Sequence, residues 1–198
     1  KMDFTVAAAV GAVTIAAALF RRRSVAKSAP RRDPWSVTTL TSPLPEEIVE
    51  VLEQAALCYL ASLTTLPSTS ALEGAIYQPH LSLMNFTFVR KSATQPHEAI
   101  VLSTRRNTLK FANLISSPAA TLLVHAGSDL SITLVGIARA LEEEPERAER
   151  LRALHLANNP GSAVFISGDG IAIIEIAVQS ARICDAEDRV HQWKATES

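Results

Sequence analysis

The chain has 198 residues, of which 47% are hydrophobic and 20% charged, and its formal net charge is −1 at pH 7. This length and composition are sufficient for one globular domain with a substantial core. Residues 1–33 contain seven of the 19 Lys and Arg residues but two of the 20 Asp and Glu residues, so the remainder is acidic. Nucleic acid is therefore not expected as a partner, because binding to its phosphates needs clustered basic residues.

The chain begins with an apolar segment followed by a basic one. Residues 4–20 are uncharged for 17 positions, near the lower limit for a helix that crosses a bilayer. Basic residues follow this segment at Arg21, Arg22, Arg23, Lys27, Arg31 and Arg32. Because a signal peptide carries its positive charge before the apolar run, this order predicts a retained transmembrane anchor over residues 1–23. An Ala-rich transit peptide and an apolar helix buried in a partner protein are the alternatives.

If the anchor is retained, the globular body lies on the side of the membrane that holds the basic residues after the apolar run. In the mitochondrial inner membrane, this side is the matrix. Residues 24–43 are polar and contain Pro30, Pro34 and Pro43, which predicts a linker to a domain at 44–198. The apolar spacing after Glu46 and Glu47 predicts a helix at the start of that domain.

The most informative segment is Pro79–Val89, which alternates between two sets of side chains. The first set is Leu81, Leu83, Asn85, Thr87 and Val89, and the second is His80, Ser82, Met84, Phe86 and Phe88. Such alternation predicts a strand that uses both faces, and Ala99–Thr104 is predicted to be the next strand. Ser82 and Asn85 either present hydrogen-bonding groups to a ligand or are buried polar side chains with partners in the core.

A short helix follows the second strand, with Lys110 and Leu114 on one face, and a new strand begins after Pro118. The motifs PH-x-SLMN-aromatic-T-aromatic, T-x5-K-x2-NL-x3-P and LLVH occur in this order between Pro79 and His125. In these motifs the chain resembles the flavin-binding split barrels of the pyridoxamine 5'-phosphate oxidase superfamily, most of all its small fungal-type members. The resemblance extends over residues 45–193. It implies a mainly β fold with flanking helices, a Greek-key split β-barrel, here preceded by one N-terminal transmembrane helix.

The resemblance also implies a cofactor, flavin mononucleotide (FMN), and positions that would hold it. Ser82, Met84 and Asn85 on the first strand would lie along the flavin ring. Thr104 and Lys110 would lie near the phosphate, where a dianion favours hydroxyls and charged donors on rigid elements.

The chain departs from the oxidase at two places. The oxidase has an arginine immediately before the lysine, whereas this chain has Leu109, so Arg105 or Arg106 would have to supply the second cation. The vitamin-forming oxidase also has a further C-terminal segment that holds the substrate phosphate, and this chain stops soon after Trp193. Turnover of pyridoxamine phosphate is therefore not expected.

The cysteine and histidine residues predict neither a disulfide framework nor a metal site. Cys58, in a predicted strand at Cys58–Thr64, has only Cys184 as a possible partner. His155 is expected at the boundary of the core rather than as a metal ligand.

The C-terminal third contains further strand and helix signals. Gly136 interrupts the predicted strand Ser131–Leu141 and predicts a bulge or bend. Glu142–Asn158 is predicted to be a helix with a solvated charged face. The sequence at 168–170 has the composition of a hairpin turn between Val164–Ser167 and a following strand.

Three functions are compatible with the sequence. The first is a membrane-anchored FMN-binding oxidoreductase, for which no catalytic protein residue is predicted because the flavin supplies the redox chemistry. The second is a non-catalytic accessory subunit of a mitochondrial inner-membrane complex, either the respiratory chain or ATP synthase. The third is a sensor for flavin, haem or another planar ligand.

The expected partners are the lipid bilayer, through residues 4–20, and either a second copy of the chain or subunits of a larger membrane complex. The resemblance implies a flavin site built across a two-fold interface.

Overall fold

The computed structural model describes residues 37–40, 42–66, 76–126 and 130–196. Its strands are β1 (Val37–Leu40), β2 (Leu57–Leu66), β3 (Ile76–Asn85), β4 (Thr87–Val89), β5 (Ala99–Arg105), β6 (Ala119–Ala126), β7 (Leu130–Ala140), β8 (Ile171–Asp185) and β9 (Val190–Lys194). Its α-helices are α1 (Glu46–Gln54), α2 (Leu109–Ser116), α3 (Pro145–Asn158) and α4 (Ala163–Ile166), and a 3₁₀ turn at Pro160–Ser162 precedes α4. The prediction of a mainly β fold with flanking helices is confirmed.

The strand pairings close into a barrel. Starting at β2, antiparallel pairing continues through β6, β7, β8 and β5 to β4. β4 follows β3 after one residue, and β3 pairs with β2, which completes the circuit. The long strand β8 pairs with β5 through its first half and with β9 through its second half. The sheet therefore divides along β8, as in a split barrel.

Alternate side chains of these strands fill the barrel, as a period of two requires. The fully buried aliphatic residues from the strands include Leu60, Ile100, Leu102, Leu122, Ile132, Leu134, Ile174 and Ile176. Large branched side chains of this type pack well on a pleated surface, and their burial is the main favourable contribution to the fold.

The predicted strand Pro79–Val89 is interrupted at Phe86, which separates β3 from β4. The alternation of faces continues across this break. Phe86 and Phe88 are buried in the barrel core and Met84 packs against it, whereas Leu81 and Leu83 face outward and are exposed. The break lets one continuous segment pair with β2 before Phe86 and with β5 after it.

The bulge predicted at Gly136 is present, because the register between β7 and β8 shifts between Val135 and Gly136. A Cβ atom at Gly136 would lie 2.3 Å from the carbonyl oxygen of Ala177. Only glycine lets the two backbones approach so closely.

Helices cover the barrel. α1 buries Ile48, Val51 and Leu52 in the same core as the barrel strands. α2 contacts β2, β5 and β7, and its Leu114 joins that core. α3 lies on the outer side of the sheet, where Leu151 packs with residues of β5 and β8.

The structure differs from the predicted elements in three places. Strand β1 lies within the predicted linker 24–43 and pairs in parallel with β9. The predicted helix Glu142–Asn158 begins at Pro145, because proline is favoured in a first helical turn. The segment before the turn at 168–170 is helix α4 rather than a strand, so this turn joins a helix to β8.

Within the ranges described above, no helix is both long and apolar enough to cross a bilayer. The predicted anchor, residues 1–23 with its apolar run 4–20, lies outside the described residues, as does most of the predicted linker.

Candidate functional site

The connection between β5 and α2 brings together three of the predicted site residues. Thr104 is buried near the end of β5, and its hydroxyl lies 3.1 Å from that of Thr108. Arg105 is the last residue of β5 and is exposed, and Lys110 is half-buried in the first turn of α2. Thr104, Arg105, Thr108 and Lys110 thus lie around the N-terminus of one helix, where the helix dipole also favours an anion.

Thr108 is a member of this group that the sequence analysis did not single out. It caps α2, since its hydroxyl accepts from the backbone N–H of Phe111 at 3.4 Å and donates to the carbonyl of Arg105 at 2.8 Å. Threonine immediately before a helix is a favoured N-cap, and this rule was the signal that could have identified it.

Of the two arginines suggested as substitutes for the missing cation, Arg106 is engaged elsewhere. Arg106 bonds to Glu142 at 2.6 Å and to the carbonyl of Asp169 at 2.6 Å, which directs it to the loop before β8. Leu109 is exposed at the first position of α2, so no positive charge occupies the place that the oxidase gives to its arginine.

Ser82 and Met84 occupy the barrel-facing side of β3. The hydroxyl of Ser82 lies 3.4 Å from Nδ1 of His80, and the thioether of Met84 packs against the core. β3 contacts β5. The strand predicted to lie along the flavin ring is therefore next to the strand that leads to the residues predicted to bind the phosphate.

Asn85 is bound to another part of the molecule. Its Oδ1 accepts a hydrogen bond from Ser162 Oγ at 3.0 Å, and its Nδ2 donates to Oδ1 of Asn159 at 3.3 Å and to the carbonyl of Ala56 at 3.4 Å. Both ends of the amide therefore have protein partners. The structure connects Asn85 with the segment after α3 and not with the cluster around Thr104.

A second polar group lies between β2 and α2. Asn113 of α2 is buried, donates to Ser62 Oγ at 3.2 Å and accepts from Thr64 Oγ1 at 3.1 Å. His80 lies opposite Ser62 in the pairing of β2 with β3. These polar side chains line the end of the barrel next to Lys110, and the alternation of Ser62 and Thr64 on β2 was the available sequence signal.

His155 is fully buried and not at the core boundary, which corrects the prediction made for it. Its Nδ1 lies 2.9 Å from the hydroxyl of Thr87 and 3.3 Å from Nδ2 of Asn159. Burial lowers the pKa of His155 to about 4, so the ring is neutral at pH 7. In the part of the chain that the structure describes, no group of three His, Cys, Asp or Glu side chains could hold a metal ion.

The chemistry of the donor set fits a flavin phosphate. The ammonium of Lys110 and the backbone amides at the start of α2 are suited to a dianion. The hydroxyl of Thr108 bonds to that of Thr104 and to the carbonyl of Arg105, and both hydroxyls would have to rotate to donate to a phosphate. On the neighbouring strand β3, Ser82 and Met84 offer one hydroxyl and one polarizable apolar side chain for a flat ring.

Comparison with known proteins identifies relatives of this chain. Residues 44–183 match the family model described as pyridoxamine 5'-phosphate oxidase. A protein of Schizosaccharomyces pombe, described as "Pyridoxamine 5'-phosphate oxidase C1952.08c homolog", is 32% identical, and the match covers 60% of this chain and 79% of that protein.

Solved structures share the fold at lower sequence identity. A heme binding protein from Mycobacterium smegmatis is 20% identical with a TM-score of 0.54, over 71% of this chain and 53% of that one. A conserved hypothetical protein from Mycobacterium tuberculosis is 17% identical with a TM-score of 0.52, over 86% of this chain and 96% of that one.

Proposed function

The chain belongs to the pyridoxamine 5'-phosphate oxidase family, and on this premise we propose that it binds FMN and acts as a flavin-dependent oxidoreductase. The observation that carries the proposal is the cluster of Thr104, Thr108 and Lys110 at the N-terminus of α2. A strand end and a helix start are rigid backbone elements, so little backbone conformational entropy is lost when a phosphate binds there.

In this proposal the flavin, when bound, supplies the electron transfer, and the protein binds and orients it. Thr104, Thr108, Lys110 and the exposed Arg105 hold the phosphate, and the two hydroxyls rotate away from their present partners to donate to it. Ser82 and Met84 on β3 contact the flavin ring, and the apolar core behind Met84 excludes water from that side of the ring. Asn85 takes an indirect role, because its amide fixes the end of β3 to the segment after α3.

The test is the visible spectrum of the purified protein, followed by titration with FMN and detection by flavin fluorescence. We expect a bound flavin band, and we expect Lys110→Met to weaken FMN binding about tenfold or more, since a charge-assisted phosphate contact is lost. Lys91→Met, at an exposed lysine, is the matched control and should bind as the wild type does. Protein that neither retains nor takes up FMN would refute the proposal, and a haem-type spectrum would instead favour a sensor.

Redox turnover is tested separately. Under anaerobic conditions, NADH or NADPH should bleach the band of the bound flavin, and readmission of oxygen should restore it. A bound flavin that neither nucleotide reduces would argue against these two donors and would leave the binding proposal intact.

The second candidate is an accessory subunit of a mitochondrial inner-membrane complex that retains the barrel without its cofactor. Two observations favour it: Leu109 replaces the arginine of the oxidase, and the amide of Asn85 is already occupied by Ser162 and Asn159. In that case the protein contains no flavin and migrates with a large complex in detergent.

We also propose that residues 4–20 anchor the protein in the mitochondrial inner membrane with its barrel in the matrix. The support is the uncharged run of 17 residues and the basic residues that follow it. Alkaline extraction of mitochondria should leave the full chain in the pellet, and protease should reach the barrel only after the inner membrane is opened.

A further inference from the structure

Helix α2 is joined to strand β2 by a buried amide. Asn113 of α2 is 3% exposed, its Nδ2 donates to Ser62 Oγ at 3.2 Å, and its Oδ1 accepts from Thr64 Oγ1 at 3.1 Å. Among the described residues, no other side-chain hydrogen bond connects α2 to a strand. Both ends of the amide are thus bonded to the same strand.

The strand that holds this amide is itself fixed. β2 pairs with β3 along its whole length, Leu57–Leu66 with Ile76–Asn85. Ser62 and Thr64 are two positions apart on β2, so their side chains lie on the same face. Bonds to two points along one strand restrict both the rotation of α2 about its axis and its sliding along β2.

The remaining packing of α2 against the barrel is apolar. Leu114 is buried in the core, and Phe111 packs against that core. Apolar contacts are non-directional, whereas hydrogen bonds depend on distance and angle. A fully bonded buried polar group therefore selects one arrangement out of several that apolar packing alone would allow.

Asn113 lies one turn after Lys110, on the same side of α2. Residues three apart on a helix are neighbours, with Cβ atoms about 5–6 Å apart. A rotation of α2 that moved Asn113 away from β2 would therefore also displace Lys110 and the backbone amides of the first turn. A phosphate contact tolerates little displacement, because hydrogen bonds weaken steeply away from their preferred distance and angle.

We infer that Asn113 is a positioning residue: given the FMN site proposed above, its amide sets the orientation of α2 in which Lys110 and the first-turn amides converge on the phosphate of FMN. Because the amide is buried and bonded to β2, it acts through α2 and not by contact with the ligand. Its contribution therefore depends on the phosphate and not on the flavin ring.

Thr64→Val tests this role, because valine keeps the shape of threonine and removes the hydroxyl that donates to Asn113. We expect this variant to bind FMN about threefold to tenfold more weakly, and to bind riboflavin, which has no phosphate, less than about twofold more weakly. Thr64→Ser retains the hydroxyl and should bind FMN as the wild type does. Thr65→Val is the matched control, since Thr65 is exposed and faces the other side of β2. Fluorescence titration of the full chain with each flavin measures these affinities.

Hydrogen exchange of the ligand-free proteins separates an effect through α2 from direct contact with the phosphate. The backbone amides of Leu109–Ser116 should exchange faster in Thr64→Val than in the wild type or in Thr65→Val. The reason is that local opening of α2 then breaks one bond to β2 fewer.

An FMN affinity of Thr64→Val equal to that of Thr65→Val, or an equal loss of affinity for FMN and riboflavin, would overturn the positioning role. Unchanged exchange of α2 in Thr64→Val would overturn it as well. In each of these cases, a wild type that binds FMN leaves the proposed function intact. A wild type that binds no FMN would refute the proposed function and the role toward its phosphate with it, and faster exchange in Thr64→Val would then show that Asn113 fixes α2 for a structural reason alone.

Discussion

At the scale of single residues, Glu175 shows how a carboxylate can be buried and remain ionised. It is fully buried on β8, and both of its oxygens accept hydrogen bonds. Burial would by itself raise the pKa of Glu175, but hydrogen bonds from Arg147, Gln95 and Arg139 outweigh this and lower it to about 2. The carboxylate thereby fastens α3 and the segment around Gln95 to the sheet, and it is not free for catalysis.

We expect Glu175→Gln to lower the free energy of unfolding by about 2–4 kcal/mol, because Arg139 and Arg147 would lose their buried counter-charge. Glu142→Gln, in an exposed pair with Arg106, should change it by less than about 1 kcal/mol. Urea denaturation at pH 7 measures both. Equal effects of the two substitutions would contradict the role of Glu175 as the buried counter-charge of the two arginines.

Glu175 also predicts how the stability of the fold depends on pH. The folded-state pKa of Glu175 is about 2, below its ordinary value of 4.5, so its stabilising contribution is complete above about pH 4.5. The contribution is lost as pH falls from 4.5 towards 2. In acid titrations, Glu175→Gln should therefore lose less stability over this range than the wild type does.

His155 predicts a second pH range, at higher pH, over which the stability of the fold changes. Its folded-state pKa is about 4 against an ordinary 6.5, so below pH 6.5 the unfolded chain binds a proton that the folded chain excludes. Stability should fall between pH 6.5 and 4, with a contribution from this group of at most about 1.4 kcal/mol per pH unit. His155→Gln should show a smaller slope than the wild type, whereas His125→Gln, at an exposed histidine, should retain it. Identical slopes in all three proteins would refute this explanation.

At the scale of elements, the bulge in β7 shapes the barrel. Gly136 lies where β7 and β8 change register, and its α-carbon approaches the backbone of Ala177. Bulges bend a strand and increase its twist, and such bends help a sheet to close.

We expect Gly136→Ala to destabilise the protein by about 1–3 kcal/mol, because the added methyl would lie 2.3 Å from a backbone oxygen that cannot move aside. Gly161→Ala serves as the control, since a Cβ there has no neighbour within 4 Å. Urea denaturation curves distinguish the two. A Gly136→Ala variant as stable as the control would show that the strands can separate at the bulge without cost.

At the scale of the whole molecule, the barrel, α1, α2 and the end of β9 share one hydrophobic core. Trp193 of β9, Leu52 of α1, Leu114 of α2 and Leu122 of β6 all belong to it. Elements that share one core lose their packing together, so we expect a single cooperative unfolding transition.

This expectation is tested by urea unfolding of the Trp35→Phe variant, which leaves Trp193 as the fluorescent reporter. Trp193 fluorescence and far-UV CD should give superimposable curves. A fluorescence change at lower urea than the CD change would show that β9 detaches before the barrel unfolds.

The parts of the fold that were predictable depend on local pattern. The alternation through Leu81, Ser82, Leu83 and Met84 predicted the two faces of β3, because a pleated strand imposes that period wherever it lies. Gly136 likewise predicted its bulge. Whether the segment Val164–Ser167 before β8 forms a helix or a strand was not predictable from its apolar residues, because a short apolar run suits either equally.

The sequence by itself determined the family and the mainly β class, and it predicted the residue types of the proposed phosphate site, because motifs and periodicity are properties of neighbouring residues. Only the tertiary structure decided which of those residues meet. In the folded protein Thr104 lies within hydrogen-bonding distance of Thr108, and Asn85 bonds to Ser162 and Asn159. Leu81 and Leu83 of β3 are exposed on the outer side of the sheet. Contacts between residues more than 70 positions apart depend on how the barrel closes, and closure is set by strand pairing that no local pattern specifies.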